Sequence, residues 1–160
     1  MSLDAFVFCD CFEKGRLKEP SPPRCRIALG PDGSVDNIGE TTLEVQLAFD
    51  DWRWHRMCEH QEGILLHHRI GNIGLVSSLR AELRRFPERF PMILSKVIYN
   101  GIHGGDYIPA QDVERVRPEV KALADIHSKD ANLEWFLRNF ESQMSELVDC
   151  ALQVNKPIAF

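Results

Sequence analysis

Leu3-Asp4-Ala5-Phe6-Val7-Phe8-Cys9-Asp10-Cys11-Phe12 alternates at every second residue. Leu3, Ala5, Val7, Cys9 and Cys11 fall on one face, and Asp4, Phe6, Phe8, Asp10 and Phe12 on the other. A period of two is that of an extended chain, so the stretch predicts a β-strand. Both cysteines would then share the face of Leu3 and Val7. At the far end of the chain Leu133, Leu137, Phe140, Met144, Leu147, Val148 and Ala151 recur at helical spacing, with Glu134, Arg138, Glu141 and Glu146 between them. That is a long amphipathic helix. A strand at one end and a helix at the other place the chain in the α/β (α+β) class.

The intervening elements follow the same logic. Residues 15–24 include Pro20, Pro22 and Pro23 and predict a loop. Residues 25–29 suit a short strand that turns at Pro31-Asp32-Gly33. Leu43, Val45, Leu47 and Phe49 alternate and favour another strand, with residues 52–59 as a short helix. Leu43, Leu47, Trp54 and Cys58 also fit one helical face, which leaves that boundary open. Residues 64–70 predict a strand. Asn72 suits the N-cap of a helix bearing Ile73, Val76, Leu79, Leu83 and Phe86, which stops before Pro87. Residues 92–99 predict a buried strand feeding the glycine-rich corner 100–106. Pro109 suits the first turn of a helix carrying Val113, Val116, Val120 and Leu123, with Pro118 implying a kink or two abutting helices. Residues 156–160 return as an extended tail. The expectation is a single domain, 1–160, with a short mixed or antiparallel sheet packed by helices.

The 160 residues carry 19 basic and 24 acidic side chains, a net charge of −5. This excludes nucleic-acid binding driven by phosphate neutralisation and suits a basic protein partner. Residues 40–62 hold six acidic and two basic side chains, whereas residues 80–96 hold five basic and two acidic. No apolar run approaches the roughly 18 residues of a membrane span. The first residues lack the pattern of a signal peptide, and five cysteines do not suit a disulfide scaffold, so the cytoplasm is the expected compartment.

Cys9-Asp10-Cys11 and Cys58-Glu59-His60 supply the inventory of a four-ligand zinc site. On a strand, same-face neighbours stand about 6.5–7 Å apart. Two sulfurs on zinc must converge to about 4 Å. The spacing therefore permits a metal site without dictating one, and small buried core cysteines are the competing reading. His67 and His68, adjacent on a strand, face opposite sides. His55 and His60 lack the i, i+4 spacing of a metalloprotease helix. The corner His103-Gly104-Gly105-Asp106 suits a tight turn or a protein-contact loop better than a phosphate site, because Asp106 would repel an anion. No residue set has the spacing of known catalytic machinery. For partner contact the acidic segment with Asp50, Asp51, Trp52 and Trp54 ranks first, and the loop with His103, Asp106 and Tyr107 second.

Residues 1–15, Cys58-Glu59-His60, Arg69-Ile70-Gly71-Asn72-Ile73-Gly74 and residues 99–109, with their Gly-Ile-His-Gly-Gly-Asp core, together resemble a family of small bacterial cytoplasmic proteins. Some of its members look like immunity proteins of polymorphic toxin systems. The resemblance implies a non-enzymatic protein that binds and neutralises a cognate toxin, and it carries over no catalytic residues. The acidic charge suits a toxin with a basic active site. Given that charge and the absence of a long apolar run, neither nucleic acid nor a membrane is an expected partner. The alternative is a zinc-binding protein or metal-dependent hydrolase built on Cys9, Cys11, Cys58 and His60; otherwise no cofactor is expected.

Overall fold

The computed structural model describes residues 2–98 and 106–160. The opening alternation forms β1 (Ser2–Phe8), which pairs antiparallel with β4 (Ile64–Asn72) from Ser2 opposite Asn72 to Phe8 opposite Ile64. Two short strands, β5 (Tyr107–Ile108) and β6 (Ile158–Ala159), complete an antiparallel sheet of order β4-β1-β6-β5. A separate hairpin joins β2 (Ile27–Leu29) to β3 (Val35–Asn37) across the expected turn. His67 and His68 do lie on opposite faces of β4: the first stacks on Phe6, and the second reaches Glu146 at 3.0 Å.

Leu3, Ala5 and Val7 turn inward beneath the helices α2 (Ile73–Leu83), α3 (Val113–Ala122) and α4 (Ala131–Val154). Asn72 caps α2 as expected, and α4 starts in the same way at Asp130, which the spacing of its stripe does not mark. The Asn72 side chain accepts the Leu75 N–H, and the Asp130 carboxylate accepts those of Asn132 and Leu133, satisfying donors a helix leaves unpaired. Six of the seven residues of the predicted α4 stripe are buried, Leu133 is partly buried, and Phe136 joins the buried face. Burial of each large side chain contributes about 1.5–3 kcal/mol. Pro118 lies within α3, which continues through it and is flanked by 3₁₀ turns at Ala110–Asp112 and Leu123–Asp125.

Three expectations are corrected. Residues 43–55 form one helix, α1 (Leu43–His55), and not a strand followed by a helix. Its buried residues Val45, Phe49 and Trp52 follow the helical i, i+4, i+7 pattern, and the alternation came from leucines on the opposite, exposed face. Residues 93–97, expected as strand, form a π-helical turn (Ile93–Val97). The buried Glu119 carboxylate accepts the N–H groups of Met92 and Ile93 at its start, at 3.0 and 2.9 Å. A short apolar run does not distinguish helix from strand by period. Finally, β1 ends at Phe8, short of both cysteines. The glycine-rich corner up to residue 105, His103 included, lies outside the described residues.

Among the described residues most of the buried apolar side chains form two clusters. The large one fills the space between the sheet and α2, α3 and α4. The small one joins Cys9, Cys11, Val35, Phe49, Trp52, Met57 and Cys58, with Phe12, Leu17, Cys25 and Ile27 against it. Among the described residues no helix is long and apolar enough to cross a membrane.

Candidate metal centre and binding face

After Phe8 the chain leaves the sheet. Cys9 N–H donates to Gly63 O at 2.7 Å, and the next residues wind into a turn closed by Lys14 N–H to Asp10 O at 3.0 Å and Arg16 N–H to Cys11 O at 2.8 Å. The Asp10 carboxylate binds Lys14 at 2.5 Å and also Arg16. The Lys14 hydrogen bond holds that carboxyl below its usual range. Lys156, buried just beyond α4, reaches Glu13 at 2.5 Å and ties the turn to the end of the main helix.

The other half of the cluster comes from the connector between α1 and β4. Arg56 and Met57 N–H groups both bond Trp52 O, ending α1, and Met57 buries its side chain. His60 opens the 3₁₀ turn Gln61–Gly63, closed by Gly63 N–H to His60 O at 3.0 Å. Gly63 has φ of 71°, and a Cβ there would lie 2.6 Å from Met57 Cε. The backbone conformation favours glycine at this point, and a side chain would also have to displace the Met57 methyl group. Gly63→Ala is therefore expected to cost about 1–3 kcal/mol in denaturant unfolding, because a strained φ and a displaced core methionine act together.

These two turns bring four ligand atoms within 4.8 Å of one another. Cys9 Sγ lies 3.8 Å from Cys58 Sγ, Cys11 Sγ 3.5 Å from His60 Nδ1, and Cys58 Sγ 3.9 Å from the same nitrogen. Tetrahedral zinc with ordinary bond lengths sets about 3.8 Å between two sulfurs and about 3.5 Å between sulfur and nitrogen. The turn resolves the difficulty that a strand would have posed, since successive ligands no longer stand a full strand repeat apart. The three cysteines are buried and free of disulfides. Burial pushes the thiols of Cys9, Cys11 and Cys58 up from their usual range. A thiol raised in this way ionises less readily to the nucleophilic thiolate.

The chain matches no protein-family model, no curated protein and no solved structure.

The residues expected at a partner surface are distributed unevenly. Asp51 is exposed and lies 2.5 Å from Arg56. Asp50 is half-buried and accepts from Gln46 Nε2 at 3.1 Å. Trp54 is 41% exposed, whereas Trp52 is 1% exposed and donates its Nε1–H to Glu19 O at 3.1 Å. Trp52 therefore leaves the candidate surface and belongs to the smaller core. Asp106 and Tyr107 are half-buried near the β5 edge, where Phe160 N–H donates to Asp106 O and Tyr107 pairs with Ala159.

Two residues missing from the expected surface belong to it. Leu43 is 76% exposed and Leu47 60%. At 3.6 residues per turn Leu43, Leu47, Asp50 and Trp54 point within about 60° of one another, opposite the buried stripe of Val45, Phe49 and Trp52. Glu44 and Asp51 lie together along one edge of this stripe, within reach of Arg24 and Arg56 respectively. Once residues 43–49 are treated as helix, the same sequence shows this second stripe.

Proposed function

We propose that this protein is a non-enzymatic binding protein of the immunity type, which captures a bacterial toxin through the outer face of α1 and occludes the toxin's basic active surface. The observation that carries the reading is the stripe of Leu43, Leu47 and Trp54, exposed and edged by Glu44, Asp50 and Asp51. Exposed apolar side chains in a row supply the desolvated centre of a contact, and surrounding carboxylates select a cationic partner and speed its approach. The resemblance of several segments to immunity proteins supports the choice of a toxin as that partner.

The test is co-expression with the product of the adjacent reading frame in a bacterial host. Toxicity abolished only when this chain is present is the expected result; a toxic neighbour left unsilenced would count against the reading. The double substitution Asp50→Lys with Asp51→Lys should slow association about tenfold or more at low salt, measured by stopped-flow or surface plasmon resonance. It also leaves Arg56 without the Asp51 carboxylate, which adds to the repulsion. Unchanged association would remove the α1 face from the interface.

The cysteine–histidine cluster favours a second reading, a metal-dependent protein. Four protein ligands complete a tetrahedron and leave no position for substrate or water, so the cluster suits a structural ion better than a hydrolytic one.

A further inference from the structure

We infer that Cys9, Cys11, Cys58 and His60 bind one Zn(II) in a closed site, and that this ion staples the smaller core and helix α1 onto the main sheet. The Cys9–Cys58 sulfur pair at 3.8 Å and the Cys11 Sγ–His60 Nδ1 pair at 3.5 Å match a tetrahedron around zinc. Cys58 Sγ–His60 Nδ1 at 3.9 Å is wider than that geometry, and all four atoms lie within 4.8 Å, close enough to converge on one ion. Three sulfurs and an imidazole nitrogen are soft donors, and they select zinc over magnesium, calcium or manganese, which take oxygen ligands. Binding exchanges three thiol protons for the ion: the S–H bonds break, three Zn–S bonds and one Zn–N bond form, and three protons leave to solvent. Zinc with three thiolates carries one net negative charge. The turn that supplies Cys11 carries two cations, Lys14 and Arg16, against the single carboxylate of Asp10.

The placement of the ligands gives the ion its role. Cys9 and Cys11 follow β1, the second strand of the main sheet, and Cys58 and His60 follow α1. Between Cys11 and Cys58 lie the proline-rich loop, the β2–β3 hairpin and the whole of α1. That segment packs chiefly on itself and on the 61–63 turn, and its apolar cluster holds only four fully enclosed residues besides the cysteines: Val35, Phe49, Trp52 and Met57. A core of that size is too small to hold a segment of some 45 residues by burial alone, and proteins in that position add metals or disulfides. A metal closing this loop fixes both of its ends at one point, which lowers the entropy of the unfolded segment as well as adding bonds in the folded one. The consequence that zinc loss would disable the α1 face rests on the binding reading above; the metal site and the staple do not.

The test begins with protein purified without chelator and analysed for metal by mass spectrometry. About one zinc per chain is expected, retained in Cys25→Ser and Cys150→Ser and lost in Cys11→Ser and Cys58→Ser. Should the last two fail to fold, stripped wild-type chain is titrated with Co(II), whose tetrahedral thiolate absorption reports the site directly. Hydrogen exchange is then compared with and without zinc. Protection is expected to fall at least tenfold in residues 27–60 and to persist in α4. Less than about a tenth of a zinc per chain, with no Co(II) thiolate absorption, would overturn the site. Full zinc content with unchanged exchange across residues 27–60 would overturn the staple. Neither readout needs a partner, so a failed toxin rescue leaves both standing, and a successful rescue does not establish either.

Discussion

Trp52→Ala is expected to lower stability by about 3–5 kcal/mol in denaturant unfolding, the range for deleting a large buried aromatic side chain. Trp52 is among the largest fully buried side chains and sits at the centre of the smaller core with Phe49, Met57 and the cysteines. Its side chain contributes in a further way: the indole N–H binds Glu19 O and so holds the proline-rich loop. The cavity left by alanine cannot be filled from the main core, whose side chains converge on a different set of elements. The loss should therefore be local: exchange protection in α1 should collapse while α4 changes little. Equal loss in both helices would mean that the two cores unfold as one unit. Trp54→Ala, on the exposed face of the same helix, should leave stability nearly unchanged, since truncation there opens no cavity.

Glu119→Ala should also be strongly destabilising. The Glu119 carboxylate is buried beneath the π-helical turn and is the acceptor for the N–H groups of Met92 and Ile93. Alanine leaves two buried donors unpaired, at about 1–3 kcal/mol for each. Glu119→Gln keeps one acceptor oxygen and should cost less. The pair separates hydrogen bonding from charge, because burial outweighs the two N–H donors and raises the carboxyl above its usual value of 4.5. The folded chain then holds this proton more tightly than the unfolded chain does. From about pH 4.5 up to the raised value the native state carries more protons, so stability falls as pH rises through that window and levels off above it. In Glu119→Gln that part of the slope should vanish. A wild-type profile with no such decline would show that the N–H bonds outweigh burial after all.

Much of the fold was legible because much of it is local. A stripe repeated at helical spacing has one physical solution, and α4 follows it over 24 residues. Asn72 and Asp130 cap helices by bonding to backbone N–H groups two or three residues away, which needs no knowledge of the rest of the chain. Pro31-Asp32-Gly33 turns the hairpin for a similar reason. Helix α1 was obscured because it is apolar on two sides: the buried stripe is set by Val45, Phe49 and Trp52, and the exposed one by Leu43, Leu47 and Trp54. Summed along the chain, the two stripes imitate alternation. Their exposure, which is the evidence for a binding face, depends on what packs against the helix.

The candidate site divides in the same way. Composition alone named three thiols and an imidazole and set them about fifty residues apart; it could not bring them together. The extended reading placed Cys9 and Cys11 on one strand face, at a spacing that permits shared zinc without dictating it. In the folded chain β1 gives way to a turn after Phe8, held by Gly63 O and by Asp10 with its two cations, and the ligand atoms close to within 4.8 Å. Periodicity, caps and turn residues by themselves determined the class of fold, the long C-terminal helix and the principal β1–β4 strands, since each depends on residues a few positions apart. Tertiary structure alone decided where β1 stops, which tryptophan is buried and which is exposed, and that residues 11 and 58 meet. Those outcomes depend on contacts between segments distant in sequence, whose energies no local pattern records.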